Sequence, residues 1–252
     1  MTDLVGEPAI VLAGVRKSYG PTLAVRNLSL EVPRGELFAF LGPNGAGKTT
    51  TIKMIVGLLR PDEGYVRVCG HAIGSNGVAA KARLAYVPDQ PFIYDKLTGR
   101  EFLYFVAEMF GIPTQQRDRK LNTLIRRLDI GEFLDHLTES YSHGMKQKVV
   151  LAAALLHDPA VLVIDEPMVG LDPRTVRSVK NLFTEHTRGG GTIFMSTHTL
   201  EIAETLADRI GIIHRGELIA LGTLDQLKTQ ARREHSLEDV FLQLTEVSDG
   251  GE

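Results

Sequence analysis

The stretch "LFAFLGPNGAGKTT", Leu37 to Thr50, decides how the rest of the chain is read. An apolar run, Leu37 to Leu41, ends in three glycines, Gly42, Gly45 and Gly47, followed by Lys48, Thr49 and Thr50. Glycine weakens a strand and delays a helix, so its repetition here needs a return. The return consistent with this pattern is an anion held by backbone N–H groups. The apolar run reads as a buried strand and Lys48 to Leu59 as the helix after it. Strand, glycine loop and helix together open an α/β unit.

The spacing Gly42, Gly47, Lys48, Thr49 fits G-x-x-x-x-G-K-[ST]. In that arrangement the loop of Gly42, Pro43, Asn44, Gly45, Ala46 and Gly47 turns its backbone N–H groups, which Pro43 alone lacks, toward phosphate oxygens. The positive end of the helix dipole adds to the attraction. Lys48 reaches the β- and γ-phosphates, and the hydroxyl of Thr49, followed by Thr50, faces Mg²⁺. A nucleoside triphosphate site also needs a second metal contact and a group that positions water. The buried strand "AVLVIDE" supplies both: Asp165 for the metal and Glu166 for the water. These motifs predict an α/β fold with a P-loop NTPase core that takes a nucleoside triphosphate and Mg²⁺; the choice of ATP rests on the resemblance given below.

The remaining chain adds two parts. "AIVLAGVRKSYG" and "LAVRNLSLEVPRGE" read as short strands turning at Gly20-Pro21 and Pro33-Arg34-Gly35, an N-terminal antiparallel β subdomain. Residues 90–157 read as an inserted α-helical subdomain. Thr98-Gly99-Arg100-Glu101 is a capping box, Leu121, Leu124, Ile125 and Leu128 share one helical face, and Ser142 precedes an apolar helix through Leu156. The α/β pattern then resumes: a helix from Pro173 to His186, the strand "GTIFMST", a helix from Leu200 to Ala207, and a hairpin turning at Arg215-Gly216. Residues 1–252 thus read as a single domain: a core of 1–89 and 158–222, the helical part 90–157, and a tail 223–252 whose end, "TEVSDGGE", is expected to fray.

Composition narrows the function. With 252 residues there is enough chain for a real core, and a net charge of -3 gives no general attraction to nucleic acid or acidic lipid. A single cysteine, Cys69, rules out an internal disulfide and reads as a small buried side chain. The start shows no signal peptide, and the longest apolar run, Val149 to Leu156, is far short of the roughly 20 residues that cross a bilayer. The chain is therefore expected to be soluble, with any link to a membrane made through a partner.

The stretch "ESYSHGMKQKVVLAAALLHDPAVLVIDEPMVGLDP" is narrower than the phosphate motifs. It resembles the ATP-binding cassette (ABC) family, and the likeness runs from about Ile10 to Leu244. The resemblance implies that Ser142 and Gly144, in a turn resembling L-S-G-G-Q, form a second phosphate cradle for a partner subunit's ATP. Two chains would then enclose two nucleotides, as a homodimer or heterodimer. His143 and Met145 depart from the family pattern, which has glycine and glutamine there; His143 is either solvated at the helix start or in contact with phosphate or the partner.

The same resemblance implies further roles. Tyr19 would stack on adenine, His198 would touch the γ-phosphate, and Gly170-Leu171-Asp172 would cross the dimer interface. The γ-phosphate-sensing position, a glutamine in the family, falls on Asp89, which could also reach Mg²⁺ through water; Gln90 is the rival. The tail "SLEDVFLQLT" looks like that of ATPases serving separately encoded exporter-type permeases. The implied function is an ATPase subunit on the cytoplasmic face of the cell membrane, held there by a transmembrane permease. Phe92 to Phe110 would face that permease or pack within its own helix. The competing reading is a soluble ABC ATPase acting on ribosomes or DNA, but the chain has neither a second cassette, a coiled coil nor a basic patch.

Overall fold

Strand pairing distributes the chain between two sheets in the computed structural model, which describes residues 6–74, 77–230, 237–239 and 241–242. The elements, in order, are β1 (Ile10–Tyr19), β2 (Thr22–Val32), β3 (Leu37–Leu41), α1 (Lys48–Ile55), β4 (Glu63–Val68), β5 (His71–Ala72), α2 (Val78–Lys81) and β6 (Leu84–Val87). Then come α3 (Gly99–Met109), α4 (Thr114–Leu128), α5 (His143–Leu156), β7 (Val161–Asp165), α6 (Pro173–Arg188), β8 (Thr192–Thr197) and α7 (Leu200–Leu206). The hairpin β9 (Arg209–His214) and β10 (Glu217–Gly222) and the helix α8 (Leu224–Gln230) follow.

The smaller sheet has the order β2-β1-β4-β5 and the larger β10-β9-β3-β8-β7-β6. In the larger sheet, β9, β3, β8, β7 and β6 run parallel, and β10 turns back antiparallel at the edge. Parallel strands buried on both faces need continuous apolar runs, and β3 and β7 have them. Alternation then sends successive residues to opposite sides. Phe38, Phe40, Val161, Val163 and Phe194 pack with Ile52, Met54 and Ile55 of α1 and with the smaller sheet. Leu37, Ala39, Leu41, Leu162, Ile164, Ile193 and Met195 pack under the helices on the other side. Phe194 centres the first cluster, its ring 5.4 Å from those of Phe38 and Phe40. Each such buried ring is worth about 1.5–3 kcal/mol of transfer free energy.

Between β6 and β7 the chain is helical. The capping box of α3 is formed, with Glu101 N–H donating to Thr98 Oγ1 and Thr98 N–H to Glu101 Oε2. Leu103, Leu121, Leu124, Leu128, Val149 and Leu156 turn inward onto the Leu162 face.

Several expected boundaries are corrected. The helix after the glycine loop stops at Ile55 rather than Leu59, because the chain turns at Gly57 and leaves Leu58 exposed. The helix expected to end at His186 continues to Arg188, and the one expected to reach Ala207 ends at Leu206. The sequence reading missed β4 and β5 altogether. In the tail, Leu237 is fully buried and its N–H donates to Glu204 Oε1 on α7 at 2.8 Å. The expected frayed end, 245–252, lies outside the described residues. Cys69 is buried, as expected. No helix among the described residues is long and apolar enough to cross a membrane.

Candidate active site

Parallel register brings three strand ends to one edge. Leu41 of β3 lies beside Thr197 of β8, and Asp165 of β7 lies beside Ser196. The glycine loop, the two carboxylates and His198 all leave from that edge, the usual position of ligand sites in open α/β sheets.

The loop from Gly42 to Gly47 is fixed from outside. A Cβ added to Gly42 would lie 2.4 Å from the Ile213 carbonyl. At Gly47, with φ near +110°, it would lie 2.5 Å from the Ala24 carbonyl. Only glycine tolerates both the conformation and the approach. Gly47 is also the N-cap of α1 and offers no side chain to the helix N–H groups, and the first turn carries no acid. Those donors therefore suit an external anion. Lys48 is buried, with Nζ donating to the carbonyls of Gly42 at 2.6 Å and Pro43 at 3.1 Å. Burial pulls its ammonium below the ordinary lysine range, while Glu166 and Asp165 oppose that shift. Asn44, Gly45 and Thr49 are exposed around it, and Ala46 is buried, its carbonyl accepting from Gly216 N–H.

The carboxylates are organised by β8. Asp165 is only 2% exposed, with Oδ2 accepting from Thr49 Oγ1 at 3.1 Å and Oδ1 accepting from Ser196 Oγ. Glu166 Oε2 accepts from Thr197 Oγ1 at 3.2 Å, and Oε1 from His198 Nδ1 at 2.7 Å. An ionised carboxylate can only accept, so the Nδ1 of His198 carries a proton. Thr197 Oγ1 also accepts from Thr199 N–H. Tyr86 sits close enough for burial, then the charges of Asp165 and Asp89, to push its phenol up to about 12.

These groups fit Mg²⁺ and a triphosphate. Mg²⁺ takes one or two hard protein oxygens and completes its shell with water and phosphate. Thr49 and Asp165 offer such a hydroxyl–carboxylate pair, and the described residues hold no three-residue His, Cys, Asp or Glu cluster suited to a softer metal.

Asp89, Gln90, Tyr141, His143, Glu166 and Val169 line one open cleft of about 560 Å³ beside this edge. The cleft brings both candidates for the sensing position, Asp89 and Gln90, near Glu166. Ser142 caps α5 through its own hydroxyl, which accepts from Met145 N–H at 3.3 Å. Gly144 has a tertiary reason to be glycine: a Cβ there would lie 2.4 Å from the Gly170 carbonyl. Asp172 caps α6, accepting from Thr175, and those hydrogen bonds hold its carboxyl well below the usual carboxylate range. Tyr19 is 49% exposed at the tip of the β1–β2 hairpin, so it is not a core aromatic. Thr50 is half-buried in the first turn of α1.

Two site residues were missed from the sequence. Ser196 and Thr197 each hold one of the carboxylates. The paired hydroxyls just before His198 in "MSTH" were the available signal. The aromatics between the cleft and α3 prove to be surface groups. Phe92, Tyr94 and Phe105 meet edge to face and remain 74%, 51% and 41% exposed.

Comparison with known proteins agrees with this geometry. The sequence model of the ABC transporter family matches residues 25–169. The chain is 37% identical over 213 residues to a linearmycin resistance ATP-binding protein of Bacillus subtilis, covering 84% of this chain and 68% of that one. It is 34% identical over 235 residues to the ABC-type transporter ATP-binding protein EcsA of the same organism, covering 93% and 95%. A solved ATP-binding subunit of an ABC transporter superposes with a TM-score of 0.90 at 34% identity, covering 94% of this chain and 99% of that one.

Proposed function

The chain belongs to the ABC transporter family, and we propose that it is the motor subunit that pairs with a second cassette and drives a separate membrane permease. It is an ABC ATPase that binds ATP and acts as the ATP-binding subunit of a transporter. The observation that carries the residue-level reading is the Thr49–Asp165 contact with Glu166 one residue on.

Each residue then has a task. Tyr19 stacks on the adenine. The N–H groups of 42–50 surround the phosphates, and Lys48 opposes their charge from a buried position. Thr49 and Asp165 would hold Mg²⁺, and Asp89 would assist them. When bound, the metal neutralises charge on the β- and γ-phosphate oxygens. Glu166 orients the attacking water and accepts its proton, and the hydroxyl of Thr197 keeps it aimed. His198 stands beside it, its Nε2 available to the γ-phosphate. Ser142 and Gly144 close over the nucleotide of the partner cassette. The hydroxyl, the close-packed glycine and the N-terminus of the 14-residue α5 support that role.

The core of 1–89 and 158–222 works as one unit, with 90–157 as the helical arm and 223–252 as a tail. The exposed triplet Phe92, Tyr94 and Phe105 suits an apolar permease segment. That docking would keep the chain peripheral, on the cytoplasmic face of the membrane. No observation favours ribosomes or DNA as partners.

Two measurements test the reading. Purified protein should release phosphate from ATP only with Mg²⁺ present, and Lys48→Ala should abolish that release. Affinity capture from detergent-solubilised membranes should recover one membrane protein; recovery of ribosomes or DNA instead would overturn the transporter assignment.

A further inference from the structure

We propose that His143 is a positioning residue that couples the chain's own nucleotide site to the turn it presents to its partner. The proposal rests on the ATP-site reading above and deepens it. Its ground is a set of close approaches. His143 Nε2 lies 3.1 Å from the Asp89 carbonyl oxygen. The acceptor there is a carbonyl, so Nε2 donates. The other ring nitrogen faces a different loop: a Cβ built on Gly170 would lie 2.8 Å from His143 Nδ1. Beside it, Gly144 packs against the Gly170 carbonyl. One imidazole therefore joins the segment after β6, the turn that opens α5, and the loop that follows Glu166.

The helix does not need His143 for its own start. Ser142 already caps α5, and residue 143 has no capping role. Glycine at this position would leave the backbone N–H groups of the turn equally free for phosphate. What the imidazole adds is its hydrogen bond to Asp89 and its packing on Gly170. Both contacts lie within one chain, yet they span two composite sites. Asp89 and Glu166 serve the nucleotide on this chain's own glycine loop, whereas Ser142 and Gly144 face the partner's. A movement of the Asp89 segment on meeting the γ-phosphate is thus transmitted to residues 142–144 by a discrete contact. The charged groups around the ring are Asp89 on its own segment, Lys146 one turn along α5, and Glu166 across the cleft. Lys146 is paired with Asp95 at 3.5 Å. Hydrogen bonding by Nε2 to a carbonyl is available to both the neutral and the charged ring, so the coupling does not require titration.

Amide hydrogen exchange on the full chain tests this, at a concentration where light scattering shows a monomer, with and without a non-hydrolysable ATP analogue and Mg²⁺. In the wild type the nucleotide should slow exchange at 42–50, at 87–92 and also at 143–147. His143→Ala should keep the slowing at 42–50 but lose about fivefold of it at 143–147, the equivalent of one hydrogen bond. In steady-state assays the same variant should lose turnover by a similar factor, with KM for ATP changed less than about twofold. His143→Gln places an amide N–H near the Nε2 position and should restore both effects. His143→Asn places it near Nδ1, too short to reach Asp89, and should not. Wild-type slowing at 143–147 in His143→Ala, or equal rescue by glutamine and asparagine, would overturn the coupling. Absence of slowing at 42–50 in the wild type would instead overturn the nucleotide-site reading beneath it.

Discussion

Glu166→Gln separates the chemical step from everything around it. The side chain keeps its size and its place at the end of β7, and the Thr49–Asp165 contact does not involve it. What changes is the charge and one acceptor. Glu166 accepts from Thr197 Oγ1 at 3.2 Å and from His198 Nδ1 at 2.7 Å. An amide has one acceptor oxygen and one donor nitrogen, so it can satisfy only one of these donors as they stand. The other contact survives if His198 moves its proton to Nε2 and accepts at Nδ1. Two hydrogen bonds to a charged group then become two between neutral groups, at a cost of about 1 kcal/mol each. Stability should fall by no more than about 2 kcal/mol, so the variant should still fold. The amide cannot take the proton from water, so turnover should fall by roughly a hundredfold or more, about 3 kcal/mol of barrier. ATP affinity should persist, because Lys48 and the loop N–H groups are untouched. With hydrolysis blocked, paired cassettes should accumulate in ATP and not in ADP. Phosphate release, nucleotide titration and light scattering read these three effects separately. Hydrolysis at the wild-type rate would refute the assignment of Glu166 as base.

Lys48→Ala should abolish hydrolysis and weaken ATP binding together in a titration, since the lysine is buried in the loop and aimed by the Gly42 and Pro43 carbonyls. Ser142→Arg should leave nucleotide binding by the monomer intact while light scattering shows no ATP-dependent pairing; equal loss of binding by the monomer would place Ser142 in its own chain's site. Asp89→Ala should lower Mg-ATP hydrolysis more than Gln90→Ala under identical conditions, and the reverse order would move the sensing role to Gln90. Gly144→Ala should push the Gly170 loop away, because its Cβ would lie 2.4 Å from a carbonyl oxygen. The strain is about 1–3 kcal/mol, measurable as a lower urea midpoint even without nucleotide.

What was legible in the sequence was local. The glycine loop could be read because its glycines, lysine and threonine lie within a few residues and each has a separate physical reason. Asp165 and Glu166 could be read because the apolar run before them has no other use for two acids at its end. What escaped depends on register. Ser196 holds Asp165 only because β7 and β8 run parallel with those two residues side by side, 31 positions apart in sequence. The strand β4 escaped for another reason: only Val66 and Val68 of its six residues are buried, too few for an alternating signal. Helix ends moved where a turn, as at Gly57, outweighed apolar periodicity. His143 is exposed at the start of α5, as one of its two readings had it, but its contacts could not be read because Asp89 and Gly170 come from two other segments.

Glu166 shows the same limit at a single residue. Asp165 and Glu166 are adjacent, yet their carboxylates must serve different partners: Asp165 the Thr49 hydroxyl, Glu166 Thr197 and His198. Strand alternation alone would send the second side chain to the opposite face of the sheet. The chain instead leaves the strand at Glu166 with φ near +52°, a conformation that costs a non-glycine residue about 1–2 kcal/mol. The Glu166 N–H still donates to the Ser196 carbonyl at 3.1 Å, so the strained residue remains tied to β8 while its side chain swings to the same edge as Asp165. Strain of this kind persists only where surrounding contacts over-determine it, and here the Thr197 hydroxyl, the His198 imidazole and the backbone hydrogen bond to Ser196 do so. Glycine at 166 would relieve the backbone and remove the proposed base. The placing of a strained glutamate at the one step where the chain must turn both acids toward the phosphate loop is the physical argument for the catalytic role proposed for it.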